Sequence, residues 1–149
     1  MSSSARLDHV TIGASDLARS AAFYDAALAA VELYRVVEFI DEEEEEGPTE
    51  AIGYGPAARS TDALSDSLSG AASSDAHLWV VMSTPATHSA HAALRAESRQ
   101  QVEAFYAAAV AAGGVPRQRP RRWEVFRPGY FGASVADPDG NILEVFSHE

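Results

Sequence analysis

The sequence predicts an α+β fold built from two βαβββ modules, and three observations point there. The first is a repeat. Leu7 to Tyr24 and Ser89 to Tyr106 each place a histidine fourteen residues ahead of a Phe-Tyr pair, and His9, Phe23 and Tyr24 lie 82 residues before His91, Phe105 and Tyr106. In the same register Leu94 falls on Ile12, Ala96 on Ala14 and Val110 on Leu28, and a repeat of this kind governs the architecture before any finer reading. The second is that each copy opens with alternating residues and turns into a helical pattern. The third is that three strand-like segments follow each copy.

In order, Leu7 to Ile12 alternates Leu7, His9 and Thr11 with Asp8, Val10 and Ile12, as a strand does. Ser15 or Asp16 can cap a helix whose Leu17, Ala21, Tyr24 and Leu28 recur at helical spacing. Val31 to Ile40 is rich in β-branched and aromatic residues and reads as the second strand, Ala51 to Tyr54 as the third, and His77 to Ser83 as the fourth. Between them, Glu42 to Glu46 predicts a solvated hairpin loop, and Pro56 to Asp75, poor in large side chains, a mobile one. The second module repeats the order. His91 to Ala96 is its strand, and Ser98 caps a helix to about Ala112, ended by Gly113-Gly114. Val115 to Pro128 carries three prolines and five arginines and predicts an irregular strand. Tyr130 to Ala136 is regular, Asp137-Pro138-Asp139-Gly140 is a turn, and Asn141 to Phe146 is the last strand.

With 149 residues, 46% hydrophobic and 22% charged, the chain suits one domain over 1–149, its modules spanning about 5–84 and 88–148. A net charge of −11 argues against nucleic acid as partner, since a phosphate backbone needs a basic surface. There is no cysteine, which excludes disulfides, thiolate metal sites and a cysteine nucleophile. Residues 1–6 lead into the first strand without an apolar signal-like run, and no stretch approaches eighteen apolar residues. The expectation is a soluble, cytoplasmic protein that engages no membrane.

Candidate site residues emerge from the strands. In the last one, Ile142, Glu144 and Phe146 share a face, and Leu143 and Val145 share the other. A carboxylate among apolar neighbours requires a partner if buried. Either Glu144 lies on an edge strand facing water, or a metal ion or cation balances it. His9 and His91 hold equivalent places in equivalent strands, so pairing of the modules about a pseudo-twofold axis brings such positions together. Two imidazoles and one carboxylate bind a divalent ion and leave coordination positions open for substrate or water.

With these residues in view, the chain resembles the vicinal oxygen chelate superfamily, which holds glyoxalases, bleomycin-resistance proteins and extradiol dioxygenases. Leu7-Asp8-His9-Val10, Ser15-Asp16-Leu17 and Phe23-Tyr24 are similar to that family's first strand and helix. The match is closer over Ala104 to Ala109, Gly113-Gly114, Pro128-Gly129-Tyr130-Phe131-Gly132 and Asp137 to Glu144. The resemblance implies that each module forms half of an open glyoxalase-like barrel around a metal cavity. It implies His9, His91 and Glu144 as ligands of a divalent iron, nickel, zinc, manganese or cobalt ion. Family members with glyoxalase chemistry usually add a Glu or His from the fourth strand; here that position falls to His77 or to Trp79, with Trp79 expected to face the cavity. His88 falls on the opposite strand face from His91.

The resulting expectation is a metal-dependent lyase or isomerase of a small-molecule substrate, chelating two vicinal oxygens, with Glu144 as base and Tyr130 beside it. Trp79, Arg127 and Phe131 are the expected substrate contacts. The alternatives are a ring-cleaving dioxygenase, with the two-His-one-carboxylate set of non-haem iron, and a non-enzymatic pocket for an aromatic ligand walled by Trp79, Phe126, Tyr130 and Phe131. No residues assignable to glutathione binding are evident. Exposed strand edges predict a homodimer, its cavity formed within a chain or across two.

Overall fold

The structure, a computed structural model, describes residues 2–42, 49–57 and 75–148. Its elements run β1 (Val10–Ala14), α1 (Leu17–Ala29), β2 (Leu33–Asp41), β3 (Thr49–Pro56), β4 (Leu78–Met82), β5 (His91–Arg95), α2 (Arg99–Ala111), β6 (Val115–Arg122), β7 (Tyr130–Ala136) and β8 (Ile142–His148). Strand, helix and three strands occur twice, as the repeat predicts. The strands form two four-stranded sheets, ordered β1-β4-β3-β2 and β5-β8-β7-β6. In each, the first strand of the module runs parallel to its last, and the other neighbours are antiparallel. Both sheets are open, and among the described residues no closed barrel forms.

The duplication extends to the helix ends, since α1 and α2 begin and end 82 residues apart. Asp16 caps the first by accepting from the Arg19 N–H at 3.0 Å, and Ser98 caps the second by accepting from the Gln101 N–H at 3.3 Å. Each helix buries its apolar stripe on its own sheet: Phe23, Tyr24 and Leu28 against Ile12, Tyr54, Leu78 and Val80, and Val102, Phe105 and Ala109 against Ala133, Val135, Leu143 and Val145. The helices also pack against each other, so the two sets form one core. The glycine pair after α2 divides the labour. Gly113 takes φ +94°, the left-handed turn at the helix end, and Gly114 has Phe23 and Val135 so near that a Cβ would come within 2.5 Å of each.

A polar latch joins the modules beside this core. The Tyr24 hydroxyl donates to Asp137 Oδ2 at 2.7 Å, and the buried Asp137 carboxylate also accepts from the Asp139 and Asn141 N–H groups and from Asn141 Nδ2. Ser15 N–H donates to Asp139 Oδ2 at 3.0 Å.

Strand boundaries differ from the sequence reading by a few residues. The largest difference is at β6, a strand across Val115–Arg122 despite Pro116 and Pro120. It is an edge strand, where a missing N–H need not break a ladder, and its register shifts twice, around Arg117 and between Gln118 and Arg121. Most of the acidic run (43–48) and of the predicted mobile loop (58–74) lies outside the described residues. Among the described residues, no helix is long and apolar enough to cross a membrane.

Candidate functional site

Alternation gives the second sheet a helix-facing row and an open row. Leu143 and Val145 of β8 are buried toward α2, while Ile142, Glu144 and Phe146 point the other way and are half-buried. Pairing of His91 with Ile142 and of Ala93 with Glu144 sets His91 on that open face, and Ser134 of β7 lies directly opposite Glu144. His91 Nε2 therefore reaches Glu144 Oε2 at 2.7 Å, and the Tyr130 hydroxyl donates to Glu144 Oε1. These are the partners a carboxylate in an apolar row requires. Burial, then the hydrogen bond to Glu144 and its negative charge, push the Tyr130 phenol well above its ordinary pKa. Tyr130 thus stays protonated and acts as a donor.

A cleft of about 280 Å³ opens over this pair, lined by His91, Arg117, Gln118, Ser134, Ile142 and Glu144. Arg117 and Gln118 both line it, though neighbours on a regular strand point to opposite faces. The bulge explains this: Pro116 pairs with Val135 and Gln118 with Ser134, so Arg117 is the extra residue. An aromatic row borders the cleft. Tyr130 stacks on Phe146 with ring centroids 4.7 Å apart, His148 meets both edge-on, and Phe126 and Trp123 continue the row outward.

Of the expected ligands, the structure brings His91 and Glu144 together and leaves His9 apart. His9 precedes β1 in the other sheet, is half-exposed, and pairs with Asp8 Oδ2 at 2.7 Å. Among the described residues, no group of three or more His, Asp or Glu side chains is placed to hold a metal ion. Trp79 lies on the open face of the first sheet, opposite Thr11 in the β1–β4 register, and is half-buried. His77 sits just before β4, exposed, its backbone bonded to Val10 and Tyr54. His88 Nδ1 lies 2.9 Å from the Asp139 carbonyl oxygen, away from Glu144. Arg127 is exposed in the turn ahead of β7, near enough for its charge to act on Tyr130. Phe131 requires correction as a cleft residue. Adjacent to Tyr130 on one strand, it points to the opposite side, where the Arg99 guanidinium sits 5.3 Å from its ring. The sequence reading missed Arg117, Gln118 and Ser134. Ser134 was accessible by alternation from Tyr130, whereas Arg117 depends on the bulge.

The glyoxalase/bleomycin resistance protein/dioxygenase superfamily model matches residues 6–145. The chain belongs to that superfamily. Solved structures carry the same fold at low identity. A glyoxalase/bleomycin resistance protein from Albidiferax ferrireducens T118 aligns with a TM-score of 0.65 at 24% identity, covering 95% of this chain and 98% of that one. The trypanothione-dependent glyoxalase I of Leishmania major aligns at 0.59 with 20% identity, over 97% and 88% of the two chains. Glyoxalase I from Zea mays aligns at 0.64 with 15% identity, covering 95% of this chain but 44% of the maize chain. No curated protein matches the chain. The superfamily fixes the fold, and the chemistry must be argued from the cleft.

Proposed function

We propose that this superfamily member is a metal-dependent lyase or isomerase of small molecules with vicinal oxygens, its metal held by His91 and Glu144 of one copy and His9 of a second in a homodimer. The observation that carries the reading is the His91–Glu144 pair on the open face of β5 and β8. Two donors each about 2.1 Å from one ion and roughly at right angles sit about 3 Å apart, and this imidazole and carboxylate are 2.7 Å apart. The pair suits a divalent ion as two of its three protein donors. Iron, nickel, zinc, manganese and cobalt all accept imidazole and carboxylate. The third donor has its counterpart in His9, at the same place in the repeat and just ahead of β1, whose open face is exposed at Thr11.

A divalent ion held by His91, Glu144 and the second copy's His9 would supply Lewis-acid polarisation of a substrate carbonyl. The chain's own residues do the rest. Tyr130 holds Glu144 Oε1, which leaves Oε2 directed to His91 and the cleft. Glu144 would accept a proton from a carbon beside the substrate carbonyl only when Oε2 is free of the ion. Ile142 gives the cleft an apolar lining residue, and Tyr130, stacked on Phe146, adjoins it through Glu144.

Metal content of the purified protein, measured by mass spectrometry beside Glu144→Gln, tests this. About one divalent ion per chain, lost in the variant, is the expected result. Mixing equal amounts of His9→Ala and Glu144→Gln chains should restore about a quarter of the sites, because random pairing makes half of the dimers mixed and one of the two sites in each mixed dimer keeps every donor. No metal after incubation with an excess of each ion overturns the proposal. The aromatic row of Trp123, Phe126, Tyr130, Phe146 and His148 favours a second reading in that event, sequestration of an aromatic ligand without chemistry. Oxygen consumption by the metal-loaded protein would instead mark a ring-cleaving dioxygenase.

A further inference from the structure

The chain is acidic, with 22 Asp and Glu against 11 basic residues, every one of them arginine. Such a surface repels anions at long range. The arginines are not evenly spread: β6 alone holds Arg117, Arg119, Arg121 and Arg122 within eight residues. Two of them have visible occupations. Arg121 lies over the Trp123 ring at 3.5 Å, and Arg122 approaches Glu124 at 3.9 Å. Arg117 has neither, although carboxylates outnumber it so heavily, and no carboxylate among the described residues pairs with it. The bulge in β6 turns it into the cleft beside Gln118 and Ser134, on the wall facing His91 and Glu144. A guanidinium with no counter-ion among the described residues, flanked by a side-chain amide and a hydroxyl at the edge of a cleft, is a receptor for a planar anion, because its fork matches both oxygens of a carboxylate.

We propose that the cleft takes a small 2-hydroxy or 2-oxo carboxylate, with Arg117 holding the carboxylate and Gln118 and Ser134 bonding its edges. The neighbouring hydroxyl or carbonyl oxygen then points across the cleft toward His91 and Glu144. That orientation rests on the metal-centre reading above, whereas the carboxylate contact does not. Size supports a small acid. About 280 Å³ lies at or below the lower end of sites for drug-sized ligands. Charge supports it as well. Glu144 would repel a second negative group at the far end of the ligand, which favours a monoanion whose inner end is neutral.

Titration with lactate and with lactamide, its uncharged counterpart bearing the same vicinal oxygens, tests the proposal by calorimetry on metal-loaded and chelator-treated full-length protein. Lactate should bind roughly tenfold or more tightly than lactamide in both preparations, as a charge-assisted bidentate contact predicts. Arg117→Gln should abolish that preference, Arg117→Lys should keep part of it, and Arg119→Gln, outside the cleft, should keep all of it. If the preference vanishes with the chelator and survives Arg117→Gln in the metal-loaded protein, the ion alone reads the charge and the assignment of Arg117 fails while the metal centre stands. If the preference persists in both preparations and is lost in Arg117→Gln even though no metal binds, the carboxylate site stands and the metal centre fails. Equal binding of lactate and lactamide, or binding of neither, overturns the proposal outright.

Discussion

Removing the Tyr24 hydroxyl tests how firmly the modules are latched. Tyr24 and Asp137 lie in different modules, both are buried, and the hydroxyl donates to Oδ2 at 2.7 Å. In Tyr24→Phe the ring still packs against Phe23, at 5.0 Å between centroids, so the apolar contribution is kept. What is lost is one of four donors to a buried carboxylate, with Asp139 N–H, Asn141 N–H and Asn141 Nδ2 remaining. A hydrogen bond to a charged group contributes about 1.5–3 kcal/mol. Because three donors stay in place, the lower end applies, about 1.5–2 kcal/mol. For a chain of this length that is a fall in Tm of roughly 3–8 °C. The repeat supplies the control: Tyr106 stands where Tyr24 does in the second module, is only half-buried, and donates to no buried carboxylate among the described residues. Tyr106→Phe should therefore change stability by less than about 0.5 kcal/mol. Urea unfolding of both variants decides. Equal losses in the two, or a Tyr24→Phe loss below about 0.5 kcal/mol, would refute the latch.

Gly114→Ala should cost about 1–3 kcal/mol by overpacking, because a Cβ would meet Phe23 and Val135 at 2.5 Å; a thermal melt at wild-type stability would show that α2 can shift away. For Asp25, burial alone raises the pKa, but hydrogen bonds from Arg35 and Tyr54 and the charge of Arg35 outweigh it and hold the carboxyl below its ordinary value. A depressed carboxyl stabilises the fold above its unfolded pKa and loses that contribution as pH falls through the folded one. Both side chains are more than a third exposed, so Arg35→Gln should lower stability by less than about 1 kcal/mol at pH 7, and the difference should shrink toward pH 3; a difference in urea midpoint that is the same at both pH values contradicts this. His91→Ala should cost no more than about 1 kcal/mol, since the imidazole is half-exposed and Tyr130 still donates to Glu144, while abolishing metal uptake; unfolding with metal affinity intact would make His91 a structural residue.

The parts of this molecule legible in its sequence are those decided by local chemistry. Helix caps at Asp16 and Ser98, the glycines after α2 and the turn from Asp137 to Gly140 are set by side chains acting on their own backbone. The odd carboxylate at Glu144 also showed, because period-two alternation requires no knowledge of the partner strand. The same alternation excludes Phe131 from a cleft that holds Tyr130. Arg117 was hidden, since no local rule places a bulge between Pro116 and Gln118, and a one-residue insertion reverses which side chains face inward.

The relation between the modules was hidden for a different reason. Equivalent strands do not say which faces of the modules will meet, and here the helices meet, with Phe23 seated on Gly114 and Tyr24 bonded to Asp137. Bringing His9 of the same chain to Glu144 would have to break those contacts, which involve core residues that are fully or almost fully buried. Bringing His9 of a second copy breaks none of them, because His91 and Thr11 on the open faces are exposed. The packing that separates the proposed ligands within one chain is thus also the physical argument for completing the centre between two.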